Sequence, residues 1–341
     1  MELYYNQKQC KKNDKMKEKL VIYSPSAEKI TPKDDAFHGS PKRIAAEWWY
    51  FDAVFDNGYS AHLGFKTFSR GKLGLVSPMI ELYRNGNLLV QKQSRHLFRD
   101  FKTSEEYPKA EILNKKIIRF DYERYRKTRE WVYNFNLRID ECFVDLDFIG
   151  LTEGFKIETE NESWTVALPK AKVKGEIKIK DEKISVEGTG YHDHNWNYSL
   201  LTVMNYGVGW YWGKISSKTL NIVWAKIVKS SDRYELIGVI NKDNNGFYNI
   251  NPRNVKFTLD NFSGRGRKRI PTTISLEIND EINGENINAD IKMRADKIHF
   301  GKALVAPYWR YHMKPSGFIS INNEKEKVED ISIAEYLKFS F

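Results

Sequence analysis

Apolar and polar residues alternate with a period of two along most of this chain, and this alternation restricts it to β structure. The run from Lys183 to Glu187 shows the pattern clearly, and the aromatic, strand-like segment from Glu47 to Phe55 is followed by the Asn57-Gly58 pair, a strong hairpin signal. Similar short segments, separated by turn residues, continue to the end of the chain. The pattern predicts an all-β fold made of antiparallel barrels or sandwiches.

The length and composition predict two β domains. A chain of 341 residues exceeds the size at which one core usually stops growing, and 41% hydrophobic residues suffice for packed cores. Residues 1–36 are lysine-rich and weakly periodic, so we predict a flexible tail there. We place the N-terminal β domain at 37–186 and the C-terminal β domain at 187–341.

The net charge of +10 indicates a basic surface, but we predict no nucleic-acid partner. Most lysines alternate with apolar residues along strands, as in 170–180, which is typical of a solvated face. Denser basic runs at 119–129 and 265–269 leave peripheral contact with anionic membranes open. No nucleic-acid-binding module accompanies them.

The cysteines and the N-terminus indicate a cytoplasmic protein. Cys10 and Cys142 are too few for a disulfide framework, and the N-terminus lacks the apolar core of a signal peptide. No stretch approaches the ~18 consecutive apolar residues of a membrane span. Membrane association at the surface stays open, and the oligomeric state is not indicated.

The segment Gly188–Asn197 concentrates titratable and aromatic side chains, and we predict the functional site there. An unbroken strand would divide these side chains between two faces: His192, His194 and Trp196 with the apolar interior, and Tyr191 and Asp193 opposite. A bulge at a glycine would turn Asp193 inward instead. The glycines would leave room for a ligand or a close backbone. The alternative is ordinary packing, in which the histidines satisfy neighbouring hydrogen bonds.

Glu47 is a second candidate, because it falls in phase with the aromatic residues of its strand. Burial would raise the pKa of an inward carboxyl group and let it hold a proton near neutrality. The alternative is that Glu47 lies at the mouth of the strand and pairs with Arg43.

Six of the nine tryptophans occur in two groups, which either fill a barrel or line a cavity for a bulky apolar ligand. Five of these tryptophans and one tyrosine are the predicted substrate-binding residues: Trp48, Trp49, Tyr50, Trp210, Trp212 and Trp224. An aromatic cavity beside an acid suits protonation of an alkene, because ring faces stabilise the resulting carbocation.

The spacing His192-x-His194 also fits a strand-borne metal pair, but the sequence suggests no third ligand nearby. We therefore predict no metal and no cofactor. A serine hydrolase is disfavoured because the chain has no Gly-x-Ser-x-Gly elbow.

The two motifs, in segments 47–53 and 188–196, together resemble the carotenoid 1,2-hydratase and AttH-like family of two-domain lipocalin-like proteins. The chain is more distantly similar to tocopherol cyclases and fungal Diels–Alderases. The resemblance runs from about residue 38 onward. It implies two lipocalin-like domains in tandem and a cofactor-free aromatic pocket for isoprenoid or polyene substrates.

The same resemblance implies roles for single residues. His194 and Trp196 match a His-x-Trp pair of the hydratases, and His192 and Asp193 match its flanking positions. A Tyr-x-Asp pair on a following strand, whose aspartate is the implied proton donor, falls here on Trp224 and Lys226. The strand 220–228 has no carboxylate, so the donor must be another group.

We therefore predict an enzyme that protonates an alkene and then adds water or closes a ring. The predicted catalytic residues are His192, Asp193, His194, Trp196, Glu47 and Tyr191. The alternative is a carrier of a lipid or isoprenoid without chemistry, which the missing carboxylate on strand 220–228 supports.

Overall fold

The computed structural model describes residues 20–22, 25–39, 44–159, 162–199, 208–230, 233–243, 246–264, 269–303 and 306–339. These residues form two curled sheets, each shaped as a half-barrel, in which 73% of the structure is strand and 6% is helix. The prediction of an all-β protein with two lipocalin-like units in tandem is confirmed.

Fourteen of the described strands form the first sheet. The strands up to residue 199 are β1 (Leu20–Ile22), β2 (Glu28–Lys29), β3 (Ala45–Phe55), β4 (Tyr59–Arg70), β5 (Leu73–Arg84), β6 (Asn87–Gln93), β7 (His96–Leu97), β8 (Phe101–Thr103), β9 (Lys109–Ile112), β10 (Lys115–Phe120), β11 (Val132–Ile139), β12 (Cys142–Gly150), β13 (Phe155–Glu158), β14 (Ser163–Ile179) and β15 (Glu182–Ser199). All but β1 belong to this sheet, whose main order is β6-β5-β4-β3-β15-β14-β12-β11-β10-β9-β8.

The remaining strands, together with β1, form the second sheet. They are β16 (Gly209–Ser216), β17 (Leu220–Val228), β18 (Arg233–Lys242), β19 (Phe247–Asn249), β20 (Val255–Ser263), β21 (Ile270–Ile282), β22 (Glu285–Ala303), β23 (Ala306–Ile321), β24 (Glu324–Lys327) and β25 (Ser332–Lys338). Their main order is β1-β18-β17-β16-β25-β23-β22-β21-β20, and β1–β18 is the only parallel pair among the described strands.

Helices are short in the described part of the chain. They comprise α1 (Tyr122–Thr128) and the 3-10 helices Pro32–Asp35, Phe98–Asp100 and Pro252–Asn254. The Asp121 side chain accepts the backbone N–H of Arg124 and so caps α1. None of the described helices has the length and apolar character needed to cross a membrane.

Three apolar clusters hold the molecule together: one inside each curled sheet and a third where the two sheets meet. We call this third region the seam. Strand β3 serves two of the clusters, because Trp49 and Phe51 point into the first sheet while Tyr50 points into the seam. Burial on both faces explains why β3 is aromatic at consecutive positions.

Strand β15 runs without interruption through the predicted domain boundary at 186/187. Its residues pair with β14 on one side and β3 on the other, so the whole central motif belongs to the first sheet. Strand β15 leaves the first sheet only after Ser199. The domain bounds 37–186 and 187–341 stay predictions.

The predicted tail contributes to the first sheet. Strand β2 pairs with β13, and Asp35 at the end of the first 3-10 helix is fully buried. Residues 25–36 are therefore packed, while 1–19, including Cys10, lie outside the described residues. Cys142 is a buried free thiol.

Gly188 and Gly190 lie in close contact with neighbouring protein atoms, where a side chain would not fit. A Cβ added to Gly188 would lie 2.1 Å from the carbonyl oxygen of Val54, and one added to Gly190 would lie 2.4 Å from Cγ2 of Val173. The glycines therefore allow close packing of the protein around β15, and they do not leave room for a ligand.

Substituting Gly190→Ala should therefore lower the free energy of unfolding by about 1–3 kcal/mol, because the added methyl group overpacks the core. Chemical denaturation would measure the change. The control is Gly238→Ala on β18, where the new Cβ would meet its nearest neighbour, Ile250, at 3.5 Å. Equal losses in the two variants would contradict the packing argument.

Candidate active site

Strand β15 presents buried polar groups on both of its faces. His192 and His194 point into the first sheet, and Tyr191 and Asp193 point into the seam. The only register shift in its pairing with β3 falls between Asn195 and Tyr198, so the glycines do not exchange the two faces. The motif therefore supplies two separate clusters.

His192 belongs to a packed hydrogen-bond cluster inside the first sheet. Its Nδ1 lies 2.9 Å from the carbonyl oxygen of Tyr50, and its Nε2 lies 3.0 Å from Oδ2 of Asp35. The hydroxyl of Tyr133 donates to the same carboxylate oxygen at 2.8 Å, and the His192 ring stacks on Phe51. Both imidazole nitrogens thus face protein oxygen atoms.

His194 and Glu47 meet in the same interior. Nε2 of His194 lies 3.2 Å from Oε2 of Glu47, and the His194 ring stacks on Trp49 with centroids 3.9 Å apart. Burial raises the pKa of Glu47 to about 7 and lowers that of His194 to about 3. Glu47 therefore faces inward, and its alternative partner Arg43 lies outside the described residues.

A cavity opens on the opposite face of β15, in the seam. It holds about 810 Å³ of space between atoms, including its open mouth. Its aromatic walls come from both sheets: Trp48, Tyr50, Trp164, Tyr198, Trp210 and Trp212. An aromatic lining of this kind suits an apolar small molecule.

Asp193 is the carboxyl group in the cavity wall that lacks a basic partner among the described residues. Its Oδ2 accepts hydrogen bonds from Tyr191 Oη at 2.7 Å and Trp164 Nε1 at 2.9 Å, and its Oδ1 accepts one from Asn195. These donors favour the carboxylate, but burial outweighs them and raises the pKa of Asp193 to about 7.

The other cavity carboxylates are paired with cations. Lys229 lies 3.4 Å from Glu235 and 4.0 Å from Glu162. Arg310 lies 2.6 Å from Glu335. Asp193 therefore differs from them in being able to exchange a proton without breaking a salt bridge.

A buried ionic network lies beside the cavity and joins the sheets. The hydroxyl of Tyr50 lies 2.8 Å from Glu335 and 3.0 Å from Asp52, and Arg310 is fully buried against the same groups. Nζ of Lys214 donates to Asp52. The sequence analysis missed Arg310, although a charge in the otherwise aromatic run 308–312 was a signal for it.

The structure brings together four of the six predicted substrate-binding residues at the cavity: Trp48, Tyr50, Trp210 and Trp212. Trp49 points into the first sheet, and Trp224 points into the second, where it contacts Phe257. Alternation places these two rings on the faces away from the seam, and their substrate-binding role stays a prediction.

The predicted catalytic residues divide in the same way. Tyr191 and Asp193 lie at the seam, whereas His192, His194 and Glu47 lie inside the first sheet. Trp196 is partly exposed and stacks on His38 with centroids 3.6 Å apart. The cavity was predicted beside the two histidines, but it lies on the opposite face of β15.

Two curled sheets with an aromatic cavity between them define the class of tandem lipocalin-like proteins. The chain is similar to a solved structure assigned to AttH from Nitrosomonas europaea, with 13% identity, a TM-score of 0.62, and coverage of 93% of this chain and 99% of that one. The chain is also similar to kievitone hydratase from Nectria haematococca, with 12% identity, a TM-score of 0.55, and coverage of 96% of this chain and 99% of that one.

CghA, solved alone and with Sch210972, is 10% identical and gives TM-scores of 0.65 and 0.63 over 95% of this chain and 97% of CghA. No protein-family model matches the sequence, and no curated protein matches it either. At these identities the similarity shows the fold. The resemblance to AttH-like proteins that the two motifs predicted is confirmed at that level.

Proposed function

We propose that this protein is an acid catalyst that hydrates or cyclises an alkene of a hydrophobic, isoprenoid or polyene substrate, without a cofactor. The observation that carries the proposal is Asp193, a buried carboxyl group without a described basic partner, in the wall of an aromatic cavity. The shared fold supports it, since one structural neighbour is a hydratase by name.

The reaction balances with one proton that returns to the enzyme. The Asp193 carboxyl group donates its proton to one alkene carbon, which forms a C–H bond and leaves a carbocation and a carboxylate. Water then forms a C–O bond, or a second alkene forms a C–C bond, and the resulting cation loses a proton to Asp193.

The neighbours of Asp193 favour the charged states of this cycle. Tyr191 and Trp164 donate to its carboxylate, so they stabilise the conjugate base as it forms. The indole faces of Trp210 and Trp212 belong to the same cavity and stabilise the carbocation. His192 and His194 act as positioning residues that hold β15 from its opposite face.

The proposal predicts which molecules leave the purified protein on extraction with organic solvent. Mass spectrometry should find two species that differ by one water, or an isomer pair. For hydration, incubation of the lighter species with the protein in ¹⁸O-labelled water should place the label in the product. Recovery of labelled product from buffer without protein would contradict catalysis.

A carrier without chemistry is the second candidate, and one observation favours it. Lys226 occupies the position of the implied family aspartate, and its ammonium lies over the rings of Tyr234 and Phe257 inside the second sheet. A carrier would release one unmodified lipid in a fixed ratio to protein and produce no labelled product.

A further inference from the structure

Three side chains with metal-binding atoms converge on the face of β15 opposite the cavity. They are His38, Glu47 and His194, and no two of their ligand atoms lie farther apart than 4.8 Å. Nε2 of His194 and Oε2 of Glu47 are separated by 3.2 Å. Ligands around a tetrahedral zinc ion, about 2.0–2.1 Å from the metal, lie roughly 3.3 Å apart. The site would therefore close if the widest of the three separations, at most 4.8 Å, contracted to that value.

Each of the three side chains is held in place by contacts outside the set. The ring of His38 stacks on Trp196, with an interplanar angle of 1°, and the ring of His194 stacks on Trp49. Glu47 accepts the backbone N–H groups of His38 and Gly39. The three metal-binding side chains are therefore oriented before any ion binds, which lowers the entropic cost of assembling the site.

Hydrogen bonding within the described residues leaves this cluster incomplete. Nδ1 of His38, Nδ1 of His194 and Oδ1 of Asp35 are buried without a hydrogen-bond partner there. The last two atoms are 3.6 Å apart. A metal at Nε2 of His194 would leave Nδ1–H to face Asp35, the carboxylate–histidine–metal arrangement of many metal sites.

We propose that His38, Glu47 and His194 bind a divalent transition-metal ion, with zinc as the expected occupant. Two imidazoles and one carboxylate form a ligand set that zinc uses in proteins, with one coordination position left for water. Strand spacing alone could not reveal it, because the ligands come from three separate segments of the chain.

The ion has a structural consequence separate from the seam. His38 follows the 3-10 helix Pro32–Asp35, Glu47 begins β3, and His194 lies on β15. Bound metal would tie the segment before β3 to the central strand, so metal binding should raise the melting temperature. No step of the proposed reaction passes through this ion.

The test uses the full chain without an affinity tag, stripped with a chelator and dialysed. Zinc titration by calorimetry should show one ion per chain, and Co²⁺ should give the visible absorption of four- or five-coordinate metal. The substitution His38→Ala, which removes the partly exposed ligand, should lower the affinity for zinc at least ~10-fold. The control is His96→Ala, whose ring contacts Ser94 on the far side of β5 from this cluster.

The isosteric variant Glu47→Gln repeats the test with less effect on packing, and it should also have a lower affinity for zinc. Circular dichroism of each variant confirms that it is folded before titration. The proposal is overturned if the wild-type chain binds no zinc at one equivalent, or if His38→Ala and Glu47→Gln bind it as tightly as His96→Ala. Both outcomes leave the proposed alkene chemistry at Asp193 intact.

Discussion

The Asp193→Asn variant is expected to lose turnover by about 10²–10⁴-fold, the usual contribution of a positioned general acid. An amide keeps the shape of the side chain and still accepts hydrogen bonds from Tyr191 and Trp164, but it has no acidic proton to give an alkene. Product formation would be followed by mass spectrometry. Ligand affinity, followed by quenching of tryptophan fluorescence, should change only severalfold.

The matched control for this variant is Glu187→Gln. Glu187 lies on the same strand, is exposed and pairs with Lys172, so its neutralisation should leave turnover unchanged. Full turnover in Asp193→Asn would remove the proposed acid. A loss of turnover in both variants would indicate a general effect on β15 instead.

Replacing Arg310→Met is expected to lower the free energy of unfolding by about 3–5 kcal/mol, because it leaves the buried Glu335 carboxylate without its cation. Arg310 is fully buried, 2.6 Å from Glu335 and 3.8 Å from Asp52. Lys214 still compensates Asp52, so the uncompensated charge falls on Glu335. Denaturant-induced unfolding would measure the loss.

Lys314→Met supplies the comparison for Arg310 on the same strand. The Lys314 side chain is 65% exposed and its ammonium pairs with Asp296 at 2.6 Å, so its removal should cost less than about 1 kcal/mol. Similar free energies of unfolding for the two variants would show that the buried network contributes no more than a surface pair.

Local patterns in the sequence sufficed for the fold class and for many strand limits. The strand expected at 220–228 matches β17, and the Asn57-Gly58 turn connects the neighbouring strands β3 and β4. Period-two alternation is a property of each strand alone, so it can be recognised without knowing what packs against it.

The position of the cavity could not be predicted in the same way. Alternation separates Asp193 from His194, but it does not say which face meets a second sheet and which meets a packed interior. Both faces of β15 are buried, so hydrophobic neighbours mark neither one as the site. Likewise, the contact of Arg310 with Glu335 depends on how β23 pairs with β25.

Other expectations from the sequence stay predictions. They include the cytoplasmic location, the peripheral membrane contact and the bounds of the two domains. The isoprenoid nature of the substrate is likewise part of the proposal.

The ionic network forms part of the wall of the seam cavity. Tyr50 and Glu335 line the cavity and are bonded to Arg310, which has no exposed surface. Arg310 can therefore reach a guest only through these two side chains, so a change at position 310 would alter the surroundings of the guest without removing a group that lines the cavity.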